Sequence, residues 1–166
     1  MVWVLARDVI NTRMRARRDK FEGRVAQDRG KYTAEQMTEV ENLYRGIVEN
    51  WSSVSDSTRT ERLEAMVQKY PDANRSGCAT LDVAEGAQGD RRTKYLHESV
   101  EKYSDCFYGD GVQVGAYARL LLAEDFKRQG NEQKAVALYN EIRSKYAEAI
   151  DHHGELLVER IKADSK

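Results

Sequence analysis

Proline, cysteine and long apolar runs are scarce in this sequence, and each scarcity excludes a class of protein. The chain has one proline, Pro71, and two cysteines, Cys78 and Cys106. Two cysteines are too few for a disulfide framework, and these are too far apart for a Cys-x-x-Cys metal or redox motif. The longest apolar run at the N-terminus covers residues 2–6, too short to span a membrane as written. Basic residues follow that run instead of preceding it, which disfavours a secretory signal.

The sequence also lacks a large excess of positive or negative charge, and it lacks recognisable catalytic motifs. The net charge of −1 gives no global attraction to nucleic acid or an anionic membrane. A basic cluster at residues 13–20 is simply explained as the solvated face of a long helix. Gly-x-Ser-x-Gly and Gly-x-x-x-x-Gly-Lys motifs are absent, and the neighbours His152 and His153 point about 100° apart on a helix, which does not suit a shared zinc ion. We therefore predict a non-enzymatic protein with no cofactor or metal, and we expect no nucleic-acid partner.

Most of the sequence shows helical periodicity. Charged residues make up 33% of the chain and hydrophobic residues 40%, which suits many solvated helices. Apolar residues recur at helical spacing in about eight segments, so we predict an all-α fold. The first helix is expected to cover residues 1–29 and to stop at Gly30. We expect capping boxes at Thr33 and Thr58 to begin the second and third helices, and Asp151 to cap the eighth.

The clearest unit lies between residues 118 and 142, where two amphipathic segments meet at Gly130. Leu122 and Phe126 lie at helical spacing before that glycine, and Leu138 and Ile142 do so after it. This pattern predicts an antiparallel helical hairpin with Gly130 at a positive φ in its turn. A single hairpin leaves its other apolar edge in water, and such units therefore usually occur as stacked repeats.

An internal repeat supports that expectation. Three segments end a helix with Lys-Tyr and a small, acidic, small triplet; they cover residues 69–73, 102–106 and 145–149. The Lys-Tyr pairs are 33 and 43 residues apart, close to the length of a two-helix repeat. A glycine follows each segment, at positions 77, 115 and 154, where we expect close approach between helices. Cys78 and Cys106 lie at ends of the middle unit that should coincide, so the pattern allows either a disulfide or two free thiols.

The last hairpin resembles the tetratricopeptide repeat family. The residues that stand at that family's spacing are Leu122, Ala123, Phe126, Gly130, Ala135 and Tyr139. The sequence departs from the family pattern at Arg119, in place of an aromatic residue, and at Ile142, in place of alanine. The resemblance covers about residues 58–162 and implies a short stack of antiparallel hairpins whose concave surface binds a protein or peptide.

We accordingly divide the chain into a helical extension at residues 1–57, a repeat array at 58–162 and a polar tail at 163–166. The predicted function is that of a protein-binding adaptor or assembly scaffold. The predicted binding residues are Arg119, Asp125, Asn140 and Arg143. The alternative is a membrane-proximal structural or secretion-accessory protein, anchored in the bacterial envelope through its N-terminal helix. The sequence as written slightly favours the cytoplasm.

The N-terminal helix carries an apolar stripe that needs a cover. A helix of 29 residues spans about 43 Å, longer than the hairpins beside it, so part of the stripe should project from the array. Self-association through this helix is preferred over a bilayer, because charged residues interrupt the run too often for a lipid-spanning segment. The predicted contacts with a second chain or a membrane are Trp3, Ile10, Met14 and Phe21.

Overall fold

The computed structural model describes residues 2–49 and 53–163, with the side chains of residues 2–6, 162 and 163 outside the description. Its helices are α1 (Val2–Lys31), α2 (Ala34–Val48), α3 (Asp56–Lys69), α4 (Asn74–Gly86), α5 (Gly89–Lys102), α6 (Val114–Arg128), α7 (Glu132–Lys145) and α8 (Leu157–Ala163). Successive helices from α2 onward pack against one another as antiparallel hairpins. The predicted all-α stack of hairpins, led by a long helix, is confirmed.

The starts of α2 and α3 show how hydroxyl groups set helix boundaries. The Thr33 hydroxyl accepts a hydrogen bond from the Gln36 N–H (3.2 Å), and the Gln36 side chain accepts one from the Thr33 N–H (2.8 Å), so the capping box at Thr33 is confirmed. The capping box expected at Thr58 is wrong. Ser55 caps α3 instead, because its hydroxyl accepts from the Thr58 N–H (3.2 Å) and lets the helix begin at Asp56.

Asp151 does not cap a helix, contrary to prediction, since α8 begins six residues later at Leu157. The Asp151 side chain is buried and closes a loop. Its Oδ1 accepts hydrogen bonds from the N–H groups of His153 (2.9 Å) and Glu155 (3.0 Å). An aspartate that accepts from backbone groups two and four residues ahead fits a turn as well as a helix start, which explains the error.

The internal repeat has a structural counterpart in the loops after α5 and α7. Each loop folds back on itself through an isolated antiparallel bridge, Phe107 to Gln113 in one and Ile150 to Leu156 in the other. The backbone hydrogen bonds of the two loops match at a constant offset of 43 residues, the spacing of the Lys-Tyr pairs. The matched positions are Cys106 and Ala149, Tyr108 and Asp151, Gly111 and Gly154, Val112 and Glu155, and Val114 and Leu157.

Helix α4 is the centre of the fold, although it has little apolar bulk. It packs against α2, α3, α5 and α6, which its small buried residues allow to approach closely. One buried cluster joins Val40 and Ile47 of α2 to Leu63 of α3 and Leu81 of α4. The core therefore continues across the boundary that we placed after residue 57. A second cluster joins α6, α7 and α8.

Two of the three repeat glycines lie in helices, but they closely approach the residues just after α5 and not another helix, contrary to expectation. A Cβ at Gly77 would lie 2.7 Å from Sγ of Cys106, and one at Gly115 would lie 2.7 Å from Cβ of Ser104. Gly154 differs: it lies in a loop, and a Cβ there would meet Ile10 of α1 at 2.5 Å. The backbone at Gly154 thus makes room for the N-terminal helix, not for a hairpin partner.

The two cysteines are free, buried thiols. Cys78 lies within hydrogen-bond distance of the Phe107 carbonyl oxygen (Sγ to O, 3.4 Å). Burial raises the pKa of Cys106 to about 12 and that of Cys78 well above its ordinary value, so both remain thiols at neutral pH. Of the two outcomes left open by the sequence, the structure shows free thiols.

Helix α1 lies along the loops that connect the hairpins. Near its C-terminal end Arg24 donates to the Asp72 carbonyl oxygen (2.6 Å), in the loop between α3 and α4. Further toward the N-terminus, Arg17 contacts Gly111 between α5 and α6 and forms an ion pair with Glu148 between α7 and α8. The helix therefore follows the hairpins in reverse order and ties three of their loops together.

The apolar stripe of α1 is half-buried by this arrangement at its described residues. Ile10 and Met14 contact Gly154, and the ring of Phe21 lies 5.6 Å from the Arg75 guanidinium on α4. These three residues therefore lie against the chain's own loops and α4, and projection of another part of the stripe stays a prediction. Contact with a second chain stays a prediction, and the side chain of Trp3 lies outside the described part of the structure.

The turn at Gly130 provides a direct stability test. Gly130 has φ of +76°, as predicted, and no heavy atom lies within 4 Å of a Cβ built there. Replacement with valine therefore introduces backbone strain alone, and we expect Gly130→Val to lower the free energy of unfolding by about 1 to 3 kcal/mol. Gly130→Asn is the control, since asparagine tolerates this conformation. Equal urea midpoints for wild type and Gly130→Val would contradict the assignment.

Candidate binding groove

The first two predicted binding residues hold helices together. Arg119 is 8% exposed and donates from Nε to Glu141 on α7 (2.9 Å) and from one terminal nitrogen to the Gly115 carbonyl oxygen (2.9 Å). Asp125 is also 8% exposed and accepts from Arg92 Nε on α5 (2.7 Å) and from Arg128. Arg119 therefore links α6 to α7, and Asp125 links α6 to α5.

The other two predicted binding residues, Asn140 and Arg143, lie exposed on α7 and are hydrogen-bonded to each other (3.2 Å). The structure does not bring the four residues together, because Arg119 and Asp125 point into the contacts between helices while this pair faces solvent. A binding role for Asn140 and Arg143 stays a prediction.

A groove of about 530 Å³ lies between α2 and α4, and none of the four predicted binding residues lines it. It is lined by Tyr44, Val48, Asp82, Glu85 and Gly86. Its volume falls within the range of protein sites that hold a small ligand or a few side chains of a partner. Aromatic and apolar groups thus form its α2 wall, and two carboxylates one turn apart lie on its α4 wall.

The Asp82 carboxylate is fixed by two tyrosine hydroxyls. Tyr44 donates to Oδ2 (3.1 Å), and Tyr108, from the loop after α5, donates to Oδ1 (3.0 Å). Loss of water around the carboxylate raises the pKa of Asp82 to about 6, and the two hydroxyls only partly oppose this effect. The fold therefore keeps an acidic group in the groove wall at some expense of stability.

Each cation near the groove is paired with a carboxylate, and two of these carboxylates are shared: Glu41 also pairs with Arg45, and Asp125 also pairs with Arg128. The pairs near the groove are Arg75 with Glu41 (2.8 Å), His152 with Asp110 (2.6 Å), Arg92 with Asp125 (2.7 Å) and Arg160 with Glu124 (3.2 Å). Over residues 2–49 and 53–163, neither Asp82 nor Glu85 forms an ion pair through its carboxylate. Neither carboxylate of the groove wall is therefore neutralised by a direct ion pair, which favours a negative potential at that wall.

Aromatic contacts continue this surface from α4 toward α6. The His152 ring lies edge-to-face with Tyr108 (5.0 Å between centroids) and with Tyr117 of α6 (5.3 Å). The loops after α5 and α7, which share one backbone structure, supply Tyr108 and His152. The repeated loops therefore position side chains beside the groove as well as contacting α1.

The His152–Asp110 pair should give stability a defined pH dependence. The hydrogen bond to Asp110 is the main cause that raises the pKa of His152. Partial burial alone would raise the pKa of Asp110, but the hydrogen bonds from His152 and from the Val112 N–H outweigh it and lower that pKa. The contribution of His152 to the free energy of unfolding is complete below about pH 6.5, and it is lost as the pH rises through the raised pKa of the imidazole. The aspartate contribution is present above about pH 4 and is lost as pH falls.

We therefore expect His152→Gln to reduce the free energy of unfolding by about 0.5 to 1 kcal/mol at pH 5.5, a small effect because both groups are partly exposed. The difference from wild type should shrink toward pH 9, as the pH rises through the raised pKa of His152. Urea unfolding at the two pH values provides the measurement. His153→Gln, on the exposed neighbour, is the control, and an equal effect of His152→Gln at both pH values would contradict the assigned pair.

Sequence reasoning missed the groove because its residues come from separate helices. Tyr44 and Asp82 are 38 residues apart, and periodicity assigns Tyr44 simply to the apolar face of α2. One signal was available: Asp82 interrupts the apolar run Leu81, Val83 and Ala84 of α4. A charged residue within the apolar face of a helix indicates a polar contact inside the fold.

The basic cluster of α1 is partly used in the fold. Arg17 pairs with Glu148, and Arg13 lies 3.6 Å from a carboxylate oxygen of Glu159. Arg15, Arg18 and Lys20 are exposed. Part of the cluster thus holds α1 against the array, and the rest forms a solvated face.

No protein-family model, curated protein or solved structure matches this chain. The resemblance to tetratricopeptide repeats therefore depends on the sequence positions named above. Among the described residues, no helix is both long and apolar enough to cross a membrane. Within the same residues, no group of three or more His, Cys, Asp or Glu side chains is arranged to hold a metal ion.

Proposed function

We propose that this protein is a non-enzymatic binding module of the tetratricopeptide type, which holds a segment of a partner protein in the groove between α2 and α4. The observation that carries the proposal is the groove wall itself, where Asp82 and Glu85 lie beside Tyr44 and Val48 without an ion pair in the described chain. Stacked helical hairpins commonly use such extended surfaces for protein recognition.

The rigidity of the groove also favours binding. Tyr44 and Tyr108 fix the Asp82 carboxylate from two different elements, and the Arg75 guanidinium lies 4.5 Å from the Tyr44 ring centroid. Side chains held in this way lose little further conformational freedom when a partner binds, which increases affinity. The groove is thus prepared for a ligand and needs no rearrangement of the array.

A half-buried carboxylate that serves binding should reduce stability. We expect Asp82→Asn to raise the free energy of unfolding at pH 7.5 by about 1 to 2 kcal/mol. The raised pKa of about 6 corresponds to a penalty of up to about 3 kcal/mol at that pH, and the amide loses part of the hydrogen bonding that the tyrosines provide. The gain should disappear near pH 4, where Asp82 is protonated. A loss of stability at pH 7.5, measured by urea unfolding, would contradict this interpretation.

Affinity capture with matched variants tests the proposed function. The intact chain, Glu85→Lys and Glu101→Lys are immobilised and exposed to the same cell extract, and the retained proteins are identified by mass spectrometry. Glu101 lies exposed on α5, so its variant carries the same charge change outside the groove. We expect a partner that wild type and Glu101→Lys retain and Glu85→Lys loses. Partners retained equally by all three proteins would contradict the groove as the binding site.

A further inference from the structure

The charges of the groove define the chemistry of the segment that fits it. Asp82 and Glu85 are three residues apart on α4, so they lie on the same face of the helix. The cations nearest to them, Arg75, Arg92 and His152, are each paired with a carboxylate outside the groove wall. We infer that the groove binds a lysine or arginine side chain of the partner segment, an inference that rests on the proposed function.

The groove also matches the apolar part of such a side chain. Lysine and arginine carry a flexible stem of three or four methylene groups that packs on apolar surface while the charged end remains polar. Val48 and the ring of Tyr44 line the groove opposite the carboxylates. A basic side chain can therefore place its stem on α2 and its cationic group between Asp82 and Glu85.

Other ligand chemistries fit less well. An acidic segment would be repelled by the two carboxylates. A purely apolar segment would remove water from Asp82 and Glu85 without returning a charge or a donor, which is unfavourable for an ionised group. A cation supplies both the charge and the donors, because ammonium and guanidinium groups have no acceptors and several N–H bonds.

The attraction between the groove and a basic side chain should weaken as the pH falls. The groups that face Asp82 are Tyr44 from α2, Glu85 on its own helix, and Tyr108 and His152 from the two loops. As the pH falls through about 6, Asp82 becomes protonated and the charge that attracts a cation falls. His152, whose pKa is raised above its ordinary value, is also cationic at pH 5, which weakens the attraction further. Binding of a basic segment should therefore be weaker at pH 5 than at pH 7.5.

The test uses three short peptides and the full-length chain labelled with ¹⁵N. The probes are acetyl-trilysine amide, acetyl-trinorleucine amide and acetyl-triglutamate amide, which share length but differ in side-chain charge. Amide chemical shifts are followed at pH 7.5 in 50 mM and 300 mM NaCl. We expect trilysine to shift the amides of Asp82, Glu85 and Gly86, more strongly at low salt, with no comparable shift from the other two.

Variants and a free polyamine make the result decisive. Glu85→Gln should weaken trilysine binding about threefold to tenfold, whereas Glu101→Gln, on the exposed face of α5, should leave it unchanged. Spermidine should bind more weakly than trilysine if the site is built for a protein segment. Equal trilysine binding by Glu85→Gln and wild type would overturn the inference that the groove binds a cationic side chain. Tighter binding of spermidine than of trilysine would overturn the inference that the ligand is a protein segment.

The two proposals fail separately. If Glu85→Lys loses a captured partner but trilysine does not shift the groove amides, the groove binds a partner of another chemistry. Only the inference of a cationic side chain is then wrong. If trilysine binds at the groove but all captured proteins are retained by Glu85→Lys, the site accepts cations and the proposed protein-binding function is wrong.

Discussion

Replacement of Asp28 with alanine is expected to lower the free energy of unfolding by about 3 to 5 kcal/mol, the range found when one partner of a buried ion pair is removed. Asp28 lies on α1, is 1% exposed and forms an ion pair with Arg24. It also accepts a hydrogen bond from the N–H of Asn74, the first residue of α4 (2.7 Å). Without the carboxylate, Arg24 stays charged and buried, and the start of the central helix loses its anionic partner.

Asp19→Ala is the matched control for this substitution, since it removes an exposed aspartate from the same helix. We expect a change within about 0.5 kcal/mol for the control. Urea unfolding followed by circular dichroism measures both variants. If Asp28→Ala and Asp19→Ala unfold at the same urea concentration, α1 is not held against the array as described.

Gly111→Ala should have the second-largest effect, about 2 to 4 kcal/mol. Gly111 has φ of +93°, a region that residues with a Cβ rarely adopt. A Cβ at this position would also overlap the Cβ of Arg17 and lie 3.1 Å from its carbonyl carbon. Strain in the loop and displacement of α1 therefore add to each other.

Gly109→Ala, two residues away in the same loop, is the control. A Cβ at Gly109 meets no heavy atom within 4 Å, and its φ is not in the left-handed region. We expect near-wild-type stability for this variant. Hydrogen exchange adds a local measurement, because Gly111→Ala should speed exchange in α1 around Arg17. Equal stability and exchange for the two variants would contradict the contact between α1 and this loop.

The helices and their order could be predicted from sequence because their signals are local. Apolar periodicity, the capping box at Thr33 and the turn glycine Gly130 each act within a few residues, and all three are confirmed. The errors at Thr58 and Asp151 are local too. Several hydroxyl groups precede α3, and the spacing does not decide which one caps it; a loop aspartate can accept the same hydrogen bonds as a helix cap.

The position of α1 could not be predicted because it depends on contacts between distant segments. Asp28 meets Asn74 across 46 residues, and Arg17 meets Glu148 across 131. The stripe of α1 indicated that something covers it, but periodicity does not distinguish the chain's own loops from a second chain. The same limit applies to Arg119, whose spacing in the hairpin does not show that it is enclosed by Glu141 and Tyr146.

Site-specific photo-crosslinking from the groove tests the central claim most directly. Val48, in the groove, and Val136, 49% exposed on α7, are each replaced with p-benzoylphenylalanine in the full-length chain, which is then irradiated in the presence of its cellular partners. The account predicts a covalent product with a partner protein from position 48, reduced when Glu85→Lys is added, and none from position 136. A partner crosslinked from position 136 but not from position 48 would contradict it.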